Sequence, residues 1–206
     1  VNERTVHKGK IARIGGVAIY ISFVVCMAVF MKTDMTINGI LIGGTIMFIG
    51  GLIDDMVNLK PKYKLAFEVA AAIVLMTVGK VSLDVIRLPM GISIDMGLVS
   101  FIVTFVWIIG ITNAVNLIDG LDGLASSVTI LVATFFSVVA YATGAGIAPV
   151  TCAVVGALLG FLLFNVYPAS VFMGDTGSTF LGYILATLSI QGLFKMYAII
   201  SFAVPF

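Results

Sequence analysis

Charge is what this sequence has least of: 10% of its 206 residues are charged and 61% are apolar, where a soluble domain carries about 25% charge. A water-exposed globule is thereby excluded and a membrane protein expected. No long basic or acidic run exists and the formal net charge is +1, so nothing favours nucleic acid or an acidic partner. Cysteine is almost missing. Cys26 and Cys152 both lie in apolar segments and read as small buried hydrophobes, not as a disulfide or metal framework. Low-complexity linkers and convincing internal repeats are lacking too, which leaves one transmembrane domain over 1–206 as the simplest organisation. No cleavable leader pattern opens the chain, because its basic start runs straight into a full spanning stretch. The start at Val1 and the stop at Phe206 inside an apolar segment lead us to expect further residues at both ends.

What the chain does have is long apolar runs. A spanning helix needs about 20 apolar residues, with roughly 17–25 tolerated. That test predicts an all-α polytopic membrane protein with complete spans at about 14–31, 37–53, 64–79, 98–115, 125–142, 150–167 and 179–195, and a partial eighth from Met196. The third span carries Glu68 one turn in, which is tolerable only against protein or at the interface. Between the third and fourth, VIRLPMGISID alternates around Pro-Met-Gly and predicts a short hairpin outside the bilayer, on the extracytoplasmic side.

Alternating crossings place residues 1–13, 54–63, 116–124 and 168–178 on one side, with Lys64 at its edge. Seven of the eleven Lys and Arg residues fall there: Arg4, Lys8, Lys10, Arg13, Lys60, Lys62 and Lys64. The positive-inside rule makes that face cytoplasmic in a plasma membrane. Asp54, Asp55, Asp119, Asp122 and Asp175 share it, whereas Asp34, Asp84 and Asp95 are scattered singles opposite. Chemistry is therefore expected at the cytoplasmic end.

Three loops carry that polarity. In GGLIDDMVNLKPKYKL, Gly50 to Leu65, the paired aspartates sit at the end of the second span, where the helix dipole disfavours carboxylates by about 0.3–1 kcal/mol. They call for a cation, or else are solvated groups partnered by Lys60, Lys62 or Lys64. In NAVNLIDGLDGLAS, Asn113 to Ser126, Asn113 and Asn116 share a helix face and Asp119 and Asp122 repeat the spacing. Gly120 and Gly123 permit close backbone approach to a ligand. Asp122 also qualifies as the N-cap of the fifth span. In FNVYPASVFMGDTGS, Phe164 to Ser178, Pro168 stops the sixth span and Thr176 or Ser178 is the expected N-cap of the seventh. Free amides at such a helix start suit a phosphate oxygen; a capped turn with one solvated aspartate is the plainer reading.

Five carboxylates on one face repel unless they bind a hard cation such as Mg²⁺ or Mn²⁺. Divalent ions bridging carboxylates to diphosphate oxygens are how phosphoryl-transfer sites neutralise developing charge. A membrane site of that kind suits one phosphate on a lipid and another on a soluble nucleotide.

The ordered set RTVHKGKIARIGG, IGGLIDD with its Lys-Pro-Lys loop, NAVNLIDGLDGLA and FNVYPASVFMGDTGS resembles the polyprenyl-phosphate N-acetylhexosamine-1-phosphate transferase superfamily. The resemblance runs from Arg4 to Ser178. It implies transfer of a sugar-1-phosphate from a UDP-N-acetylhexosamine to undecaprenyl phosphate with release of UMP, in the bilayer, by an enzyme that forms a homodimer. DDMVNLKPKYKL looks more like the UDP-GlcNAc branch than the UDP-MurNAc-pentapeptide branch. By the same resemblance Asp175 matches a metal-binding aspartate, and Asp54 and Asp55 match paired aspartates beside the metal and the lipid phosphate. Phe172 matches an aromatic stacked on uracil and Asp122 an aspartate near the base. Asn116 and Asp119 match positions lining the diphosphate pocket, and His7 and Lys8 match polar residues of the first cytoplasmic loop. We thus expect Asp54, Asp55 and Asp119 as catalytic groups, Asp175 and Asp54 as ligands of Mg²⁺ or Mn²⁺, and Asn116, Asp122, Phe172, His7, Lys8 and Lys64 as substrate contacts. The family's usual first span and its late histidine-rich loop have no match within the 206 residues.

Three other readings compete. An ion-coupled transporter tends to place ionisable groups and broken helices near the midplane, whereas these aspartates gather at helix ends. A CDP-alcohol phosphotransferase expects an Ala-Arg pair soon after its first Asp-Gly, which DGLDGLASS lacks. A purely structural subunit offers no reason for three acidic loops on one side.

Overall fold

A computed structural model describes residues 12–32, 34–87 and 93–203. Seven helices succeed one another: α1 (Gly15–Phe30), α2 (Met35–Val57), α3 (Pro61–Thr77), α4 (Ser100–Ile118), α5 (Leu124–Ala142), α6 (Ala148–Asn165) and α7 (Gly174–Ala203). Among the described residues, α2, α4 with its leading turn from Gly97, α5 and α6 are long and apolar enough to cross a membrane. The chain is a polytopic membrane protein.

The punctuation follows the sequence. Asn58 adopts the left-handed conformation at φ 54° after α2, its N–H returning to the Asp54 carbonyl, a common helix stop. Pro61 then opens α3, where a missing N–H costs nothing. The two helices form a tight hairpin that sets the last turn of α2 against the first of α3.

Packing centres on α7, which touches α1, α2, α4 and α5. Every residue from Thr176 to Ile190 is buried. Small residues allow this close approach, as at many membrane helix interfaces, and Tyr183 donates its hydroxyl hydrogen to the Gly39 carbonyl of α2 at 2.9 Å. Leucine, isoleucine and phenylalanine side chains on the outer helices point away from the bundle, among them Leu131, Leu163 and Phe101, as lipid-facing residues should.

Two expectations need correction. No break occurs at Met196: α7 runs unbroken to Ala203, because neither proline nor a turn sequence interrupts IQGLFKMYAIISFA. Cys152 is exposed and Cys26 only partly covered, since an apolar segment in a membrane protein faces lipid as readily as core. The segment expected as a hairpin contains two antiparallel three-residue strands, β1 (Val85–Arg87) and β2 (Ser93–Asp95), with Val85 opposite Asp95. Its connecting residues 88–92 lie outside the described residues.

Candidate active site

The short connections bring the α2–α3, α4–α5 and α6–α7 loops to one end of the bundle, together with the start of α1. Cross-links between the loops show it directly. The Phe172 amide donates to the Ala12 carbonyl, and the Gly15 and Gly16 amides donate to the carbonyls of Phe172 and Met173, each at 3.0 Å. The segment ending the first basic stretch is thus tied to the loop that carries Phe172 and Asp175. Asp122 accepts the Ala169 amide at 2.9 Å.

At the centre lies Lys64. Its position in the first turn of α3 puts the ammonium between Asp54, on the last turn of α2, and Asp175, on the first turn of α7. It is ion-paired with Asp54 and donates to Asp175 Oδ2 at 2.6 Å. Asp54 is only 5% exposed and its Oδ1 also accepts the Leu59 amide at 2.6 Å. Asn116, on the last turn of α4, donates through Nδ2 to Asp175 Oδ1 at 3.1 Å and to Ser178 Oγ at 2.8 Å. Four helices converge on one carboxylate pair. One ammonium is thus set against two carboxylates.

Asp119 stands just past the end of α4. Burial, followed by repulsion from the Asp175 and Asp55 carboxylates, pushes its carboxyl up to about 7, with the Arg13 guanidinium opposing the shift. The charges of Asp175 and Asp55 therefore reach Asp119. A cavity of about 20 Å³ lies between Asp54, Lys64, Glu68 and Thr179, with room for about one water-sized species.

Among the described residues no three Asp, Glu, His or Cys side chains gather closely enough to hold an ion unaided. The donor set nonetheless fits Mg²⁺, which is commonly bound by one or two carboxylates, with water and substrate phosphate completing its shell. Asp54 and Asp175 supply such a pair.

Several expected residues take other partners. Asp55 turns away from Lys64: its Oδ1 accepts the Asp175 amide at 3.0 Å, and its Oδ2 accepts the Thr176 amide at 2.8 Å and the Thr176 hydroxyl at 2.6 Å. The cap of α7 is therefore a carboxylate from α2, not Thr176 or Ser178, and two of the amides expected to meet phosphate are already satisfied. Asp122 does not cap α5; Gly123 occupies the cap position at φ 71° and the aspartate braces the Ala169 loop instead. Asn113 faces α3, donating to Glu68 Oε2 at 2.7 Å. His7 and Lys8 lie outside the described residues.

Other residues of this end carried no expected role. Asn165 knits two loops, its Oδ1 accepting the Gly123 amide at 3.1 Å and the Ser126 hydroxyl at 2.8 Å while its Nδ2 donates to the Val171 carbonyl at 3.0 Å. A lone amide closing an apolar helix was its only signal. Glu68, 6% exposed, was visible as a charge inside a span, though its partner Asn113 was not.

Comparison with known proteins gives the chain a family. The sequence profile described as glycosyl transferase family 4 matches residues 37–193. Over 207 residues, covering 99% of this chain, it is 36% identical to a Bacillus subtilis protein named "Probable undecaprenyl-phosphate N-acetylglucosaminyl 1-phosphate transferase", of which it covers 58%. It is 32% identical over 200 residues to the phospho-N-acetylmuramoyl-pentapeptide-transferase of Clostridium beijerinckii, covering 90% of this chain and 61% of that one. Against the Clostridium novyi protein of the same name, identity reaches 62% over 81 residues, 39% of this chain and 25% of that one. The chain thus spans about three fifths of the length of the first two relatives.

Proposed function

Because the chain belongs to glycosyl transferase family 4, we propose that it transfers N-acetylglucosamine-1-phosphate from a UDP-sugar to undecaprenyl phosphate, releasing UMP, as a first membrane step of envelope glycan synthesis. The observation that carries this reading is the Asp54–Lys64–Asp175 cluster, with Asn116 bonded to Asp175, at one end of the helix bundle. An ion-coupled transporter would need such groups along a path through the middle of the bundle.

In the proposed reaction an oxygen of the lipid phosphate attacks the β-phosphorus of the UDP-sugar, the bond from that phosphorus to the UMP oxygen breaks, and UMP leaves. Asp54 and Asp175 would hold Mg²⁺ or Mn²⁺, which supplies charge neutralisation at the diphosphate. Lys64 and Asn116 orient the carboxylates and contact phosphate. Asp119, titrating near neutrality, is suited to take or return the acceptor's proton. Because a phosphate monoester loses its second proton near pH 6, positioning contributes more than base strength at neutral pH. Phe172 and Asp122 serve the uracil end, with His7 and Lys8 completing the first loop. The basic residues at this end orient it toward the cytoplasm, and we expect two copies to pair in the bilayer.

The choice of sugar rests on the 36% identity that extends along 99% of the chain. UDP-MurNAc-pentapeptide is the second reading, favoured by the 62% identity over 81 residues. The test is direct. The purified chain in nanodiscs, given undecaprenyl phosphate and Mg²⁺, should release UMP faster from UDP-GlcNAc than from UDP-MurNAc-pentapeptide. The reverse order selects the second reading; uptake by sealed vesicles without any UMP would discard both.

A further inference from the structure

We infer that Asp55 is a positioning residue, a carboxylate that α2 extends to cap α7 and so set the direction of Asp175. The carboxylate has about four acceptor sites, and three are taken by neutral donors of α7: the Asp175 amide, the Thr176 amide and the Thr176 hydroxyl. Its neighbour Asp54 spends its oxygens differently, on the Lys64 ammonium and the Leu59 amide. Adjacent helical residues point about 100° apart, so one aspartate of the pair faces the cation pocket and the other faces the helix that supplies the second carboxylate.

The surrounding backbone is built around that contact. Gly174 holds φ 66°, and a Cβ there would lie 2.5 Å from Asp55 Oδ2. Gly51, one turn before Asp55 on the same face of α2, would place a Cβ 2.4 Å from the Asp175 carbonyl oxygen and 2.6 Å from Thr176 Cα. Glycine gives α7 room to approach and aspartate then fastens its first turn. Asp175 lies in that turn, so its side chain is aimed by the same clamp toward Lys64 and Asn116. A group committed in this way is poorly placed to act as the base for the lipid phosphate or as a ligand to the ion.

The consequence for ion binding rests on the phosphotransfer reading above, but the clamp itself does not. With the full chain in lipid nanodiscs, Mn²⁺ affinity read by electron paramagnetic resonance and amide hydrogen exchange in the first turn of α7 test both parts. Asp55→Asn should weaken Mn²⁺ binding roughly 10- to 100-fold, as loss of a group that orients a ligand does, and should speed exchange at Asp175 and Thr176. Thr176→Val should move both readouts the same way by less, and the double variant should be no worse than Asp55→Asn alone, because coupled residues are not additive. Unchanged exchange and unchanged Mn²⁺ affinity in Asp55→Asn, with turnover lost, would overturn the inference and make Asp55 a chemical participant. Multiplying losses in the double variant would overturn it as well. Should Asp55→Asn fail to fold, Gly51→Ala carries the test with Asp55 intact, since it pushes α7 away: weaker Mn²⁺ binding supports the clamp and wild-type binding refutes it. A wild-type chain that neither binds Mn²⁺ nor releases UMP defeats the phosphotransfer reading, while amide exchange in Asp55→Asn still decides the clamp.

Discussion

The two ends of the bundle use carboxylates in opposite ways. At the end away from the candidate site, Asp34 accepts the Ile37 amide at 2.7 Å as the N-cap of α2, Asp95 accepts the Gly97 amide at 2.9 Å, and Asp84 accepts the Ser100 hydroxyl at 2.8 Å. Asp34 and Asp95 each serve the turn they sit beside, while Asp84 reaches the first residue of α4, 16 positions on. At the other end Asp55 and Asp175 are bonded to groups more than a hundred residues away in sequence, and Asp54 and Lys64 meet Asp175 from separate helices. Local caps need only a turn to form, whereas this cluster forms only when α2, α3, α4 and α7 are packed together. Gathering like charges is costly, and the Lys64 ammonium between Asp54 and Asp175 offsets part of that cost.

The contrast can be broken or sharpened by substitution. The largest effect is expected of Asp175→Asn, which should cut UMP release at saturating Mg²⁺ by about 100- to 1,000-fold, as loss of a central electrostatic group does; substantial turnover would remove Asp175 from the ion's ligands. Lys64→Met removes the charge that joins Asp54 to Asp175 and should destabilise the metal-free chain by roughly 1–3 kcal/mol. Millimolar Mg²⁺ should restore much of that loss, because the ion replaces the ammonium, and thermal melting in nanodiscs with and without Mg²⁺ measures it.

Asp119 makes a pH prediction. Its ordinary value is 3.8 and its folded value about 7, so the folded state favours the protonated carboxyl. The stability this contributes is fully present below about pH 4 and is lost as pH rises through 7. Melting temperatures of the chelator-treated chain should therefore fall between pH 5 and 8, and Asp119→Asn should flatten that fall. The smallest effect belongs to the far end. Asp34→Ala should cost about 1 kcal/mol through the lost α2 cap and leave UMP release untouched. A large drop in turnover there would mean that the two ends are not independent.

Much of this arrangement was legible in the chain. Apolar run length locates α1 to α6 to within a few residues, whereas α7 starts before and runs well past the expected 179–195; alternation of crossings puts Asp54, Asp119 and Asp175 at one end. Lys64 is expected at this end from its place at the edge of the third span, and its ammonium joins Asp54 to Asp175. Less could be read of which way each polar side chain turns. Asp54 and Asp55 look interchangeable in sequence, as do Asn113 and Asn116, yet one member of each pair joins the Asp175 cluster while Asp55 caps α7 and Asn113 pairs with Glu68.

Composition and spacing by themselves determined that the chain lies in a membrane, roughly where its first six helices run and which loops share an end, because those follow from apolar length and chain direction alone. The choice of partner for each carboxylate was decided by tertiary structure. A helix can turn about its axis until packing stops it, and here the stop is set by close contacts such as Gly51 against the first turn of α7.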